Sequence, residues 1–137
     1  EYREACLTLP ISPKASAALS RRIIQHILRR NETFPERINP GKRFNDLQDE
    51  IKWVAENNKS FPLGLKDSLN DVRVIGNVAA HPYGHVITGE IVDVEQDVAL
   101  YLLYAVEDLM RFYYVEPAEA RARKETLDRK KAEAGKR

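Results

Sequence analysis

The sequence predicts an all-α fold: a bundle of four or five helices followed by a polar C-terminal helix or tail. Three observations carry that expectation. Apolar residues recur every three or four positions along most of the chain, strand-like alternation is nearly absent, and Pro and Asn punctuate the periodic segments at helix-sized intervals. With 137 residues the chain has room for one core. Residues 1–115 are read as the bundle and 116–137 as a charged helix or tail.

Tyr2 to Thr8 reads as a short helix closed by Pro10. Ser12-Pro13 opens the next, with Ser12 as N-cap and Pro13 where a missing N–H costs nothing. Leu19, Ile23 and Ile27 repeat every four residues, Ile24 and Leu28 widen the stripe, and Asn31 and Pro35 end it. Residues 32–42, with Pro35, Pro40 and Gly41, read as a loop. Phe44, Leu47, Ile51 and Val54 form the stripe of a third helix that stops near Asn57-Asn58. Leu65, Leu69, Val72, Ile75 and Ala79 mark a fourth, which begins at Phe61-Pro62 and ends near His81, because Pro82 disfavours helical geometry before it. Tyr83 to Val92 reads as loop. Asp93 and Gln96 form a variant capping box for a fifth helix that runs to about Tyr114 and is stopped by Pro117.

Charge and composition exclude several classes. The net charge of +1 argues against uniform coating of nucleic acid, yet residues 116–137 carry +3 and the rest −2. Cys6 has no partner for an internal disulfide and reads as a small core residue. No apolar run approaches the roughly 18 residues a membrane helix needs, and no signal peptide is visible. The expected location is cytoplasmic, with no membrane partner. Glu1 opens the chain and Met110 is its only methionine, so the expectation is a piece of a longer protein. Neither a Gly-rich phosphate loop nor a nucleophile elbow occurs.

Four features carry chemistry. Arg73, Asn77 and His81 are spaced i, i+4, i+8, a line spanning about 80° of one helix face, with Gly76 and Ala80 keeping the surface beside it low. A guanidinium, an amide and an imidazole in line suit a phosphodiester; a local role for each, capping or pairing, is the other reading. Arg22, His26 and Arg30 share a line on the second helix with Arg21 and Arg29 beside it, and residues 21–43 hold seven basic and two acidic side chains. Such a stripe tracks a phosphate backbone or is simply solvated. The apolar run Val98 to Val106 needs cover on every side, from other helices or from a second subunit, and Tyr101, Tyr104, Phe112, Tyr113 and Tyr114 extend it. His81 and His85 are four apart, but Pro82 and Gly84 break the helix between them, so no metal is expected. Trp53 reads as packing.

The segments SPKASAALSRRIIQHILR (12–29), VRVIGNVAAHP (72–82), TGEIVDVE (88–95) and LDRKKAEAGK (127–136) resemble a bacterial family of uncharacterised domains placed in the HEPN superfamily (higher eukaryotes and prokaryotes nucleotide-binding). The resemblance covers most of the chain, and Gly76 to Pro82 is its most specific part. It implies a helical bundle that often dimerises and, in active members, metal-independent RNA cleavage without a cofactor. It also implies fusion to a zinc-ribbon-like segment or association with restriction and defence proteins. In active members an Arg is followed by four to six residues and then a His. The His corresponds to His81, and Asn77 matches the polar residue often found four before it. Positions 74 to 76, however, hold Val74, Ile75 and Gly76, and Arg73 lies one residue too far, a rotation of about 100°. The resemblance therefore implies a module that binds RNA, a nucleotide or a partner and dimerises without cleaving. Two alternatives stand beside it: an endoribonuclease using Arg73 and His81, and a purely structural homodimerisation domain.

Overall fold

A computed structural model describes residues 1–80 and 96–136, and for residues 75–80 the helical backbone alone. The described residues form helices and turns, with no strand among them, so the expected all-α class holds. The elements are α1 (Tyr2–Thr8), α2 (Pro13–Asn31), α3 (Leu47–Asn57), α4 (Leu63–Ala80), α5 (Gln96–Met110), a π-helical turn (Arg111–Val115) and α6 (Glu116–Gly135).

Each start follows from local chemistry. Ser12 caps α2 by accepting from the Ala15 N–H at 3.2 Å, with Pro13 in the first turn. Asp46 caps α3 by accepting from the Asp49 N–H at 2.8 Å. This later start moves Phe44 out of the expected α3 stripe. Phe44 is 75% exposed on the loop before the helix, a correction caused by the carboxylate cap fixing the first turn at Leu47.

The core joins Ile23, Ile24, Ile27 and Leu28 of α2 to Leu47, Ile51 and Val54 of α3, Leu65, Leu69 and Val72 of α4, and Leu102, Leu103, Val106 and Leu109 of α5. Burying each such side chain is worth about 1.5–3 kcal/mol. α2 and α5 make the most extensive pairing in the bundle. Small residues on α2 let α1 approach closely: buried Ser16 donates to the Ala5 carbonyl at 2.6 Å. Ala5 thus turns inward, and Cys6, about 100° further round, is exposed rather than in the core. Tyr2 donates to Glu107 and ties α1 to α5. Trp53 packs edge-on against Phe34 with ring centroids 5.1 Å apart, as its packing role required.

Pro117 does not stop the chain's helical path. α5 gives way at Arg111 to the wider turn, where the Glu116 N–H bonds the Arg111 carbonyl, and Pro117 falls in the first turn of α6. There it needs no N–H partner, and the widened turn leaves room for its ring. α6 has no buried residue and its apolar side chains define no face. Among the described residues no helix is long and apolar enough to cross a membrane. The expected loop at 83–92, the Asp93 cap and the contributions of Ile75 and Ala79 to the core lie outside what is described.

Candidate functional site

Of the line on α4, the structure describes the side chain of Arg73. It is half-buried, and its Nη2 donates to the Asn70 Oδ1 at 3.0 Å, one turn back toward the helix start. Asn77 is placed by its helical backbone alone, one turn beyond Arg73. His81 and His85 lie outside the described residues, and with them the third member of the line and the histidine pair.

The basic edge of α2 is well described, and acidic partners divide it. Arg22 Nε lies 3.2 Å from one Glu1 carboxylate oxygen, and His26 Nδ1 lies 3.4 Å from the other. Arg29 donates through Nε to the Glu50 Oε1 at 2.8 Å, with Nη2 equally close. Arg21 is half-buried with its Nε enclosed. Arg30 is exposed and takes part in no ion pair among the described residues. The five basic residues share a helix edge but not one electrostatic state.

Glu50 explains part of this division. It occupies the second position of the buried α3 stripe, between Leu47 and Ile51, and is 1% exposed. Burial pushes its carboxyl above the usual range, while Arg29 and Gln25, which donates at 3.2 Å, work against the rise. Its Oε2 has no hydrogen-bond partner. A buried carboxylate needs its cation, so Arg29 is committed to the fold rather than free for a ligand.

The loop between α2 and α3 is built around Asn45. Its Oδ1 accepts from the Ile38 N–H at 2.8 Å, its Nδ2 donates to the Pro35 carbonyl at 3.0 Å, and its own carbonyl accepts from Arg29 Nη2 at 3.2 Å. Lys42 bridges Asp46 at 2.7 Å and Asp49 at 3.2 Å, which raises its ammonium above the ordinary value. Partial burial works to raise the Asp46 carboxyl, but Lys42 and the Asp49 N–H hold it below the ordinary value. Arg37 and Arg43 are exposed on this loop without ion pairs among the described residues. Sequence reasoning placed these cations in a basic region but missed which of them are free.

The aromatic residues fall into two groups. Phe112 and Tyr113 pack on Phe61, and Tyr113 donates to the Glu32 Oε1 at 2.6 Å. Burial and the Glu32 carboxylate both push the Tyr113 phenol upward. The same Glu32 oxygen accepts from Asn58 Nδ2 at 2.6 Å, and Asn31 Nδ2 donates to the Tyr114 hydroxyl at 2.7 Å. These contacts pin the π turn to the end of α2. On α5, Tyr101 donates to the Asp71 Oδ2 at 3.0 Å, whereas Leu100 and Tyr104 share an exposed face. An open depression of about 370 Å³ lies between α4 and α5, lined by Asp71, Val74, Asp97, Val98 and Tyr101. Among the described residues no three His, Cys, Asp or Glu side chains are grouped to hold a metal ion.

No curated protein and no solved structure matches the chain. A family model described as Domain of unknown function (DUF4145) matches residues 3–132. Since that span takes in nearly the whole bundle and most of α6, the chain belongs to this family of uncharacterised domains.

Proposed function

We propose that this chain is an HEPN-like helical module of a bacterial defence-type protein that binds single-stranded RNA and dimerises, without cleaving the RNA. The observation that carries the reading is the set of exposed cations at the C-terminal end of α2 and on the loop that follows. Arg30, Arg37 and Arg43 keep their charge uncompensated by ion pairs among the described residues, while Arg22, His26 and Arg29 are paired. A phosphate backbone is drawn to such charges, and binding them releases counterions. Of the expected α2 edge, Arg30 is the free member of the interface; Arg21, Arg22 and His26 flank it, and Arg29 is held by Glu50.

Two further observations favour binding over catalysis and favour a dimer. Arg73 is turned back onto Asn70, and its spacing from His81 departs from that of active HEPN nucleases. Leu100 and Tyr104, one turn apart on α5, leave an apolar strip that a second copy can cover.

Fluorescence anisotropy of a labelled single-stranded RNA across a salt series tests the binding. Wild type binds, its affinity falls as salt rises, and the triple substitution Arg30→Glu, Arg37→Glu, Arg43→Glu abolishes binding. An affinity unchanged by that triple substitution removes these arginines from the interface and overturns the reading.

A further inference from the structure

Phe44 stands apart from every other large apolar side chain of the loop region. Phe34 is covered by Trp53, and Ile38 is half-buried, but Phe44 is 75% exposed. The guanidinium of Arg43 lies 5.6 Å from the centre of its ring. The exposure does not come from a slack loop. Asp46 fixes the first turn of α3 two residues later, and Asn45, the next residue, holds three other segments by hydrogen bonds. The backbone on the C-terminal side of the ring is therefore tied down before any ligand arrives, which lowers the ordering cost of binding.

The exposed charge of this region without an ion pair is mainly cationic, Arg30, Arg37 and Arg43 against Glu36. Asn45 gathers the segments that carry the exposed arginines: its side chain holds Ile38, next to Arg37, and its carbonyl holds Arg29, next to Arg30. The acidic groups of this end are largely engaged. Asp46 and Asp49 hold Lys42, Glu50 holds Arg29, and Glu32 accepts from Tyr113 and Asn58; Glu36 is exposed on the loop. An exposed aromatic ring with one free guanidinium beside it, and two more on segments tied to the adjoining residue, offers what single-stranded nucleic acid requires: a face for a base and charges for the phosphates.

We infer that Phe44 is a base-stacking platform for single-stranded RNA, with Arg43 beside the stacked base and Arg30 and Arg37 along the backbone. This inference rests on the RNA-binding reading above and adds to it the group that recognises bases rather than phosphates. It distinguishes a base-bearing single strand from a polyanion of equal charge that lacks bases.

The test compares a labelled oligouridylate with an abasic strand of the same length, titrated with wild type, Phe44→Ala and Phe44→Trp. The exposure of Phe44 leaves the bundle intact in both variants, which equal melting temperatures check. Wild type prefers the base-bearing strand roughly ten-fold, in keeping with one stacked base. Phe44→Ala lowers affinity for oligouridylate to the abasic level without altering its salt dependence, and Phe44→Trp restores the preference. Equal binding of both strands by wild type, or an unchanged preference in Phe44→Ala, overturns the platform and leaves the charge-based reading standing. Failure of wild type to bind either strand overturns both. Self-association lost in Phe44→Ala, with wild type showing no preference between strands, assigns the ring to a protein contact and overturns the platform.

Discussion

Glu50 and Glu1 both hold basic residues of α2, yet the two contacts differ in weight. Arg22 reaches Glu1 at the surface, where an ion pair is worth about 0–1 kcal/mol. Arg29 reaches a carboxylate that water cannot solvate. In urea unfolding, Arg22→Ala therefore costs less than about 0.5 kcal/mol, whereas Arg29→Ala costs about 1.5–3 kcal/mol, because it strips a charge-assisted hydrogen bond from a buried acceptor. Equal losses would contradict this ordering. The raised carboxyl of Glu50 also sets a pH dependence. A carboxyl raised on folding favours the native state below its unfolded value and loses that contribution as pH rises through its folded value. The melting temperature of Glu50→Gln accordingly gains on wild type as pH rises from the carboxylate range toward neutrality; a difference that shrinks over that range counts against the assignment. Glu50 was partly legible: it stands three residues after Leu47 in a stripe whose other members are Ile51 and Val54. Its partner was not, because Arg29 lies 21 residues away and only the packing of α2 on α3 brings them together. Cys6 fails for a related reason, since composition says that cysteines are usually buried but not which side of α1 meets α2.

At the scale of elements, the caps and stripes were readable and the π turn was not. Ser12-Pro13 acts through short-range chemistry, and α2 begins where that chemistry puts it. Asp46, with Asp49 three residues later, carried a comparable signal for α3, and attending to it places Phe44 outside the helix. Pro117 misleads because the rule against internal proline assumes an unbroken i to i+4 ladder. Here a five-residue π turn resets the ladder just before the proline. That turn is held by Tyr113 on Glu32 and by the aromatic packing on Phe61. Tyr113→Phe removes one partly buried hydrogen bond and destabilises the protein by about 1 kcal/mol in denaturant unfolding; no loss would mean that the aromatic contacts alone hold the turn. α6 sits at the opposite extreme, with no residue buried. Removing residues 118–137 leaves the melting temperature of the bundle nearly unchanged and lowers the helical circular dichroism signal. A large drop in melting temperature would show that α6 packs on the bundle.

For the whole molecule, the net charge of +1 conceals an uneven distribution, and the structure sharpens where it matters. The basic edge of α2 looked continuous because spacing reports a shared face and says nothing of partners on other elements. Glu1 and Glu50 convert three of its five members into structural contacts. Within residues 21–43, the exposed cations without an ion pair, Arg30, Arg37 and Arg43, instead sit around a loop whose geometry depends on Asn45 bonds to Arg29, Pro35 and Ile38. The fold was legible because helical periodicity is local; the site was not, because it is assembled by long-range pairing. The exposed strip of Leu100 and Tyr104 adds an assembly-scale expectation: sedimentation gives a mass near twice 15.7 kDa, and Tyr104→Glu returns it to the monomer value. A monomer at every concentration would rule out this interface. The central claim, binding of RNA without cleavage, is tested most directly by one titration. Single-stranded RNA labelled at one end is mixed with the full chain in EDTA, and bound fraction and strand length are read from the same samples. A shifted, intact strand is the expected result. An unshifted strand, or cleavage that disappears in His81→Ala, would contradict it.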